Sequence, residues 1–210
     1  MKNDNKYQAI VDAAERVFFQ NGYENASMDQ VAREANVAKG TLYLYFKSKH
    51  ELYFAIGVRA LGTLVEDFRN ASHELPNGLS RVVALGKAFA AFRKEHPDYY
   101  TFIVDYQGER YDQVHSDGEI HRTYRESRQL FQILLDSVRE GQKDGSIRSD
   151  MDPALLANLL WCQTCGVVQL SELREAFFQE FSPYSSDQVL EAYFDFTRNV
   201  LSGESHAKKS

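Results

Sequence analysis

Between positions 39 and 49 the chain runs Lys-Gly-Thr-Leu-Tyr-Leu-Tyr-Phe-Lys-Ser-Lys, with three lysines and no acid. Ammonium and hydroxyl groups at this density suit phosphate oxygens and base edges, and Gly40 lets a backbone come close to a sugar-phosphate chain. Two other groups have residue types capable of chemistry. Trp161-Cys162-Gln163-Thr164-Cys165 carries two thiols at CxxC spacing. Thiol redox at that spacing needs a preceding strand and a reactive thiol at a helix start. Here the cysteines fall inside an apolar helix that begins near Pro153, so buried packing is expected, with redox or metal chemistry as the alternative. His115, Asp117, Glu119 and His121 could supply metal ligands, Asp117 and His121 sharing a face if helical. A solvated polar loop is the plainer reading, and no metal or cofactor is expected. No nucleophile–base pairing or phosphate-cradling glycine loop points to an enzyme.

The basic stretch needs elements to hold it. Ser27, followed three residues later by Gln30, forms a capping-box pattern that starts a helix. Val31, Ala32 and Ala35 lie on one side of it. Asn36 tolerates the left-handed conformation of a sharp turn. A second short helix begins near Ala38 and ends at Phe46 and Lys47. Ser48 and Glu51 repeat the capping-box pattern for a third helix. Two short helices around a tight turn make a helix-turn-helix, whose second helix enters the major groove of DNA. Residues 6–21, with Ile10, Ala13, Ala14, Val17 and Phe18 on one stripe, supply the platform, and Asn21-Gly22 stops that helix.

The run from Lys39 to Lys49, preceded by Phe18-Phe19-Gln20-Asn21-Gly22-Tyr23, resembles the DNA-binding domain of the TetR family of bacterial transcriptional regulators. The resemblance covers residues 6–54; beyond it the match is only in length and helical character. It implies phosphate contacts for Tyr43 and Lys49, and groove contacts for Lys39, Gly40, Thr41 and Tyr45. Leu42 and Phe46 match core positions. The chemistry of the side chains adds Ser27, at a helix N-terminus, and Lys47 as phosphate partners. Two residues depart from the family pattern. Ala38 stands where a Ser or Thr cap is common, and Leu44 where another aromatic is common.

Composition sets the outer bounds. The chain has 210 residues, 43% hydrophobic and 26% charged, as in an ordinary soluble protein of one or two helical domains. No apolar run is expected to span a bilayer, the polar first residues lack a signal-peptide core, and two cysteines suit a reducing compartment, so a cytoplasmic protein is expected. The formal net charge of −6 argues against nucleic acid as a sum. Its distribution answers that objection, because a local basic face can hold phosphate on an otherwise acidic molecule.

The remaining chain reads as all-α. A helix over 48–72 joins two halves, and Gly57 and Gly62 within it permit either close contact or bending. Further helices are expected over 79–94, 98–106, 119–144, from Pro153, and over 187–201, with a loop at 107–118 and a disordered tail at 204–210. The expected domains are a three-helix helix-turn-helix domain over 1–50 and an effector-binding and dimerisation domain over 51–203. Phe89, Phe92, Tyr99, Phe102, Tyr106, Tyr124, Phe131 and Trp161, with Arg128 and Gln163, are candidates for an effector pocket; core packing is the alternative. Leu156, Leu160, Val167, Val189, Tyr193, Phe196 and Val200 exceed what one chain is expected to cover and are candidates for a homodimer interface. The resemblance points the same way, to a four-helix bundle from two chains on a palindromic operator. The expected function is a repressor of double-stranded DNA released by a small molecule. The alternatives are a DNA-binding factor without an effector, or a redox or metal enzyme.

Overall fold

The computed structural model describes residues 2–106 and 118–203, except for the side chains of residues 2–4, 105 and 106. The described residues form helices α1 (Lys2–Asn25), α2 (Met28–Glu34), α3 (Lys39–Tyr45), α4 (Lys49–Ser72), α5 (Gly78–Glu95), α6 (Pro97–Tyr106), α7 (Glu119–Asp144), α8 (Pro153–Leu173), α9 (Glu175–Gln179) and α10 (Ser186–Leu201). They contain no strand; one isolated bridge links Ile147 and Ser202. The all-α reading is correct. The reading of 107–118 as a loop falls outside the described residues except at Gly118, and the tail at 204–210 lies wholly outside them.

The helices fall into two compact units, with α4 and α7 each contributing to both: Met1–Thr63 with His96–Arg128, and Leu64–Glu95 with Gln129–Ser210. In the first unit, α1 buries Ile10, Val11, Ala13, Ala14, Val17 and Phe18 on the stripe that its periodicity specifies. Met28, Val31 and Ala32 of α2, Leu42 and Phe46 around α3, and Leu52, Ala55 and Ile56 of α4 close over it. α1 is longer than the sequence pattern implied, continuing past a kink at Gly22 (φ +73°) that only glycine adopts at low cost. Tyr23 then turns back and stacks on Phe18, with ring centroids 5.9 Å apart.

Polar ties fasten the rest of this unit to α1. Tyr99 of α6 donates to Glu15 Oε1 at 2.8 Å, and Arg59 of α4 pairs with Asp12 at 2.7 Å and with Glu15 at 3.1 Å. Arg122 of α7 donates to the Tyr7 hydroxyl at 3.1 Å while pairing with Glu119. Burial first, and Glu119 second, push the Tyr7 hydroxyl up to about 12, so it stays a neutral hydrogen-bonding group at ordinary pH. Thr123, fully buried, offers its hydroxyl to the carbonyls of Phe54 at 3.0 Å and Glu119 at 2.9 Å.

In the second unit, Phe68, Val82, Val83, Phe89, Phe92, Leu130, Leu134, Val138, Leu156, Leu160, Val168, Leu190 and Phe194 form the core. α8 starts where expected: Asp152 accepts from the Ala154 and Leu155 amides and Pro153 occupies the first turn. By length and composition α8 could cross a membrane, which corrects the expectation that no run is long enough. Its Leu156, Ala157, Leu160, Val168 and Ser171 are buried within the unit. The sequence pattern missed α9, set off by non-helical Arg174, and the capping box of Ser185 with Gln188 that starts α10. Lys87 and Lys94 of α5 pin α10 through Glu191 at 2.9 Å and Asp187 at 2.5 Å.

The two glycines of α4 have different settings. A Cβ on Gly57 would lie 2.0 Å from the Phe102 ring, which is itself locked between Tyr53 and Phe54. A Cβ on Gly62 would meet nothing within 4 Å. Gly57→Ala is therefore expected to destabilise the chain by about 1–3 kcal/mol through overpacking. Gly62→Ala is expected to be neutral or to stabilise by up to about 1 kcal/mol. Urea unfolding of both variants checks this, and equal effects would contradict it.

Candidate nucleic-acid interface

The helix-turn-helix is built by local chemistry. The Gln30 amide donates to Ser27 Oγ at 3.3 Å, and the Ser27 amide donates to Gln30 Oε1 at 2.8 Å, closing the capping box. Ala35 ends α2 in a helical conformation, and Asn36 takes φ +53° to make the turn. Ala38 caps α3 with its carbonyl alone, which accepts from Thr41 and Leu42; no side chain caps this helix. Phe46 ends it in an extended conformation. At the start of α4 the Glu51 amide donates to Ser48 Oγ at 3.0 Å, while the Glu51 carboxylate accepts from the Lys47 amide at 2.7 Å. The second capping box thus reaches one residue further back than its pattern suggests.

Leu42 sets the orientation of α3. Its side chain is fully buried, as is that of Phe46. At about 100° per residue, Gly40 and Leu44 then lie about 160–200° from Leu42, on the opposite side of the helix. Leu44 is 76% exposed, and space beyond Gly40 is open. Tyr43 and Thr41 flank this outward face, Tyr43 exposed and Thr41 partly so. Tyr45 instead turns back and packs its half-buried ring against the core of the unit.

The cations around α3 are held by nearby oxygens. Lys39 pairs with Asp29 at 2.7 Å, and that hydrogen bond and charge raise its pKa above the ordinary lysine value. Lys47 Nζ donates to the Tyr43 carbonyl at 3.3 Å. Lys49 Nζ donates to the Glu24 carbonyl at 3.1 Å and sits 4.4 Å over the Tyr23 ring. Ser27, Lys39, Gly40, Thr41, Tyr43, Lys47 and Lys49 thus belong to one helix-turn-helix and its flanks. Leu44, the most outward residue of α3, had no role in the sequence reading. Its position two residues from a core leucine was the signal available.

The second unit holds a small apolar cavity. Val82, Leu85, Phe89, Leu134, Trp161 and Phe194 are among its walls, and Thr164, Tyr193 and Thr197 supply its polar atoms. The Thr164 and Tyr193 hydroxyls are 2.9 Å apart, hydrogen-bonded across α8 and α10. The space open to water centres is about 30 Å³, room for about two waters. Of the sequence-derived pocket candidates, Phe89 and Trp161 line this cavity. Phe92 is core, Phe131 half-buried and Gln163 exposed in the same unit. Tyr99, Phe102, Tyr124 and Arg128 belong to the first unit, where Phe102 packs on Gly57. The side chain of Tyr106 lies outside the described residues.

A second surface is apolar and exposed. It includes Leu155, Leu159, Leu170 and Leu173 of α8, Phe177 and Phe178 of α9, and Val189, Phe196 and Val200 of α10. Leu156 and Leu160 point inward instead, and Tyr193 is half-buried at the cavity. α8 is apolar on nearly every side, so its hydropathy could not distinguish the two faces. Val167 is half-buried. Cys162 is exposed and Cys165 half-buried, which corrects the expectation of buried thiols. Glu119 is engaged by Arg122 and His121 is exposed. His115 and Asp117 lie outside the described residues.

The family model for bacterial regulatory proteins of the tetR family matches residues 10–56, and that for the tetracyclin repressor-like C-terminal domain matches residues 82–197. The fatty acid metabolism regulator protein of Bacillus subtilis is 25% identical over 157 residues, covering 74% of this chain and 78% of that protein. The HTH-type transcriptional regulator YhgD of Bacillus subtilis is 31% identical over 153 residues, covering 70% of this chain and 74% of that protein. The crystal structure of the transcriptional regulator FadR from Bacillus subtilis, in complex with stearoyl-CoA, superimposes with a TM-score of 0.68 at 19% identity. It covers 93% of this chain and 99% of that one. A buried-leucine anchor, an outward α3 face and two family models together spanning both units lead to one conclusion: this chain belongs to the TetR family and is a DNA-binding transcriptional regulator.

Proposed function

We propose that the chain is a homodimeric repressor, working in the cytoplasm, that binds a palindromic operator and is released from it by a small molecule. The observation that carries the DNA contact is the outward face of α3, opposite buried Leu42 and flanked by lysines. Gly40 and Thr41 face the groove, Lys39 at its edge. Tyr43, Lys47 and Lys49 meet phosphates, as does the Ser27 end of α2. Tyr45, packed back on the core, contributes through its position beside the groove face.

The exposed apolar face of α8 and α10 supports dimerisation. So many exposed large apolar residues on two helices are uncommon on a monomer, and a two-fold interface matches a two-fold operator. Release follows from a shift of population. α4 runs continuously from the reading unit into the second unit, so an effector that favours one arrangement of α4 changes the spacing of the two reading heads. The stearoyl-CoA complex of the Bacillus subtilis FadR structure supports a long-chain acyl compound as effector. The narrowness of the cavity favours a second reading, a DNA-binding factor that takes no small molecule.

Three outcomes are expected. On a duplex recovered by selection from random DNA, Lys49→Ala weakens binding to all sequences alike and reduces the salt slope by about 1, whereas Thr41→Ala changes the preference among sequences. An unchanged slope would remove Lys49 from the phosphate contacts. Phe196→Glu, at a residue 63% exposed in one chain, converts a dimer to a folded monomer in sedimentation equilibrium; an unaltered mass would contradict the interface. Stearoyl-CoA lowers affinity for the selected duplex by about 5–150-fold in a fluorescence anisotropy titration. Operator affinity that stays constant at saturating stearoyl-CoA would favour the effector-free reading.

A further inference from the structure

We propose that Leu44 reads the 5-methyl group of a thymine in the major groove, making it a residue that determines operator sequence. The inference rests on the DNA-binding reading of α3 and specifies the base chemistry that this face selects.

Leu44 is 76% exposed, more than any other large apolar residue among the described residues. Among the described residues of the first unit, only Phe19 and Tyr43 are also exposed and large. Phe19 meets the Tyr99 ring at 5.9 Å, and Tyr43 carries a hydroxyl. The Leu44 side chain has no polar atom, and its place opposite Leu42 turns it from the core. Gly40 lies one turn earlier on the same face. A Cβ there would meet nothing within 4 Å, so glycine is not required to relieve crowding at that point. Glycine also weakens a helix relative to alanine. The pair makes a notch beside an apolar knob, a shape that allows close approach of something outside the chain.

The major groove presents hydrogen-bonding groups at every base pair and one apolar group, the thymine methyl. Leucine can make no hydrogen bond. Set against the amino group of cytosine or adenine, it would strip water from that group and replace nothing. Against a thymine methyl both partners lose water-exposed apolar surface, and the contact is favourable. The face therefore selects thymine and disfavours cytosine at one position per half-site.

The test uses the full-length chain and a duplex obtained by selection from random double-stranded DNA. Each thymine is replaced in turn by uracil, which keeps the base pair and removes only the methyl group. At one symmetric pair of positions uracil is expected to weaken the wild-type chain about fourfold per half-site, the effect of burying one methyl-sized group. Leu44→Ala, at a residue 76% exposed, is expected to bind thymine and uracil duplexes equally. Leu44→Met, of similar reach, is expected to keep the preference. If uracil weakens no position, or if Leu44→Ala retains the full preference, the proposal is overturned while DNA binding by α3 stands. If selection enriches no sequence at all, the sequence-specific reading of α3 falls together with it.

Discussion

The burial of Leu42 and Phe46 is the constraint on which the DNA-reading half of this molecule depends. α3 is only seven residues long, too short to be stable alone, and no side chain caps its start. Its existence and its rotation both come from two side chains inserted into the core made by α1, α2 and α4. Once Leu42 points inward, helical geometry alone turns Gly40 and Leu44 outward. The outward face of α3 is thus a consequence of core packing, and buried residues such as Ile10, Val31 and Ile56 set its orientation.

The charge distribution follows from the same arrangement. A chain of net charge −6 is a poor candidate for a polyanion partner until its charges are located. The lysines near α3 are each held by a specific oxygen: Asp29 for Lys39, the Tyr43 carbonyl for Lys47 and the Glu24 carbonyl for Lys49. Only the first of these is an ion pair. Carbonyl partners carry no formal charge, so the ammonium groups of Lys47 and Lys49 keep theirs beside the outward face. The same unit is tied together by polar contacts from α6 and α7 to α1, through Tyr99 and Arg122, which join later parts of the chain to the reading platform.

Much of this was legible in the sequence, for a physical reason. Capping boxes, the Asn36 turn and the α1 stripe are local patterns whose geometry depends on residues a few positions apart. Ser27, Gln30 and Asn36 therefore declared the reading head before any fold was known. The choice between close contact and bending at Gly57 required knowing that Phe102 lies opposite, a non-local fact. Which aromatic residues line a cavity was not legible, because aromatic residues are equally suited to core and cavity. Tyr99 and Phe102 went to one unit, Phe89 and Trp161 to the other. On α8, apolar residues on nearly every side erased the periodicity that would have separated inward Leu156 and Leu160 from outward Leu155 and Leu159.

The central claim is that the Gly40–Leu44 face of α3 is the surface that reads DNA. A crystal structure of the full-length chain bound to a duplex recovered from random-sequence selection tests it most directly. The account predicts α3 in the major groove, with Gly40 and Leu44 against base edges, Leu42 still buried, and Lys47 and Lys49 at phosphates. A complex in which another helix occupies the groove, or in which Leu44 faces solvent, would contradict it.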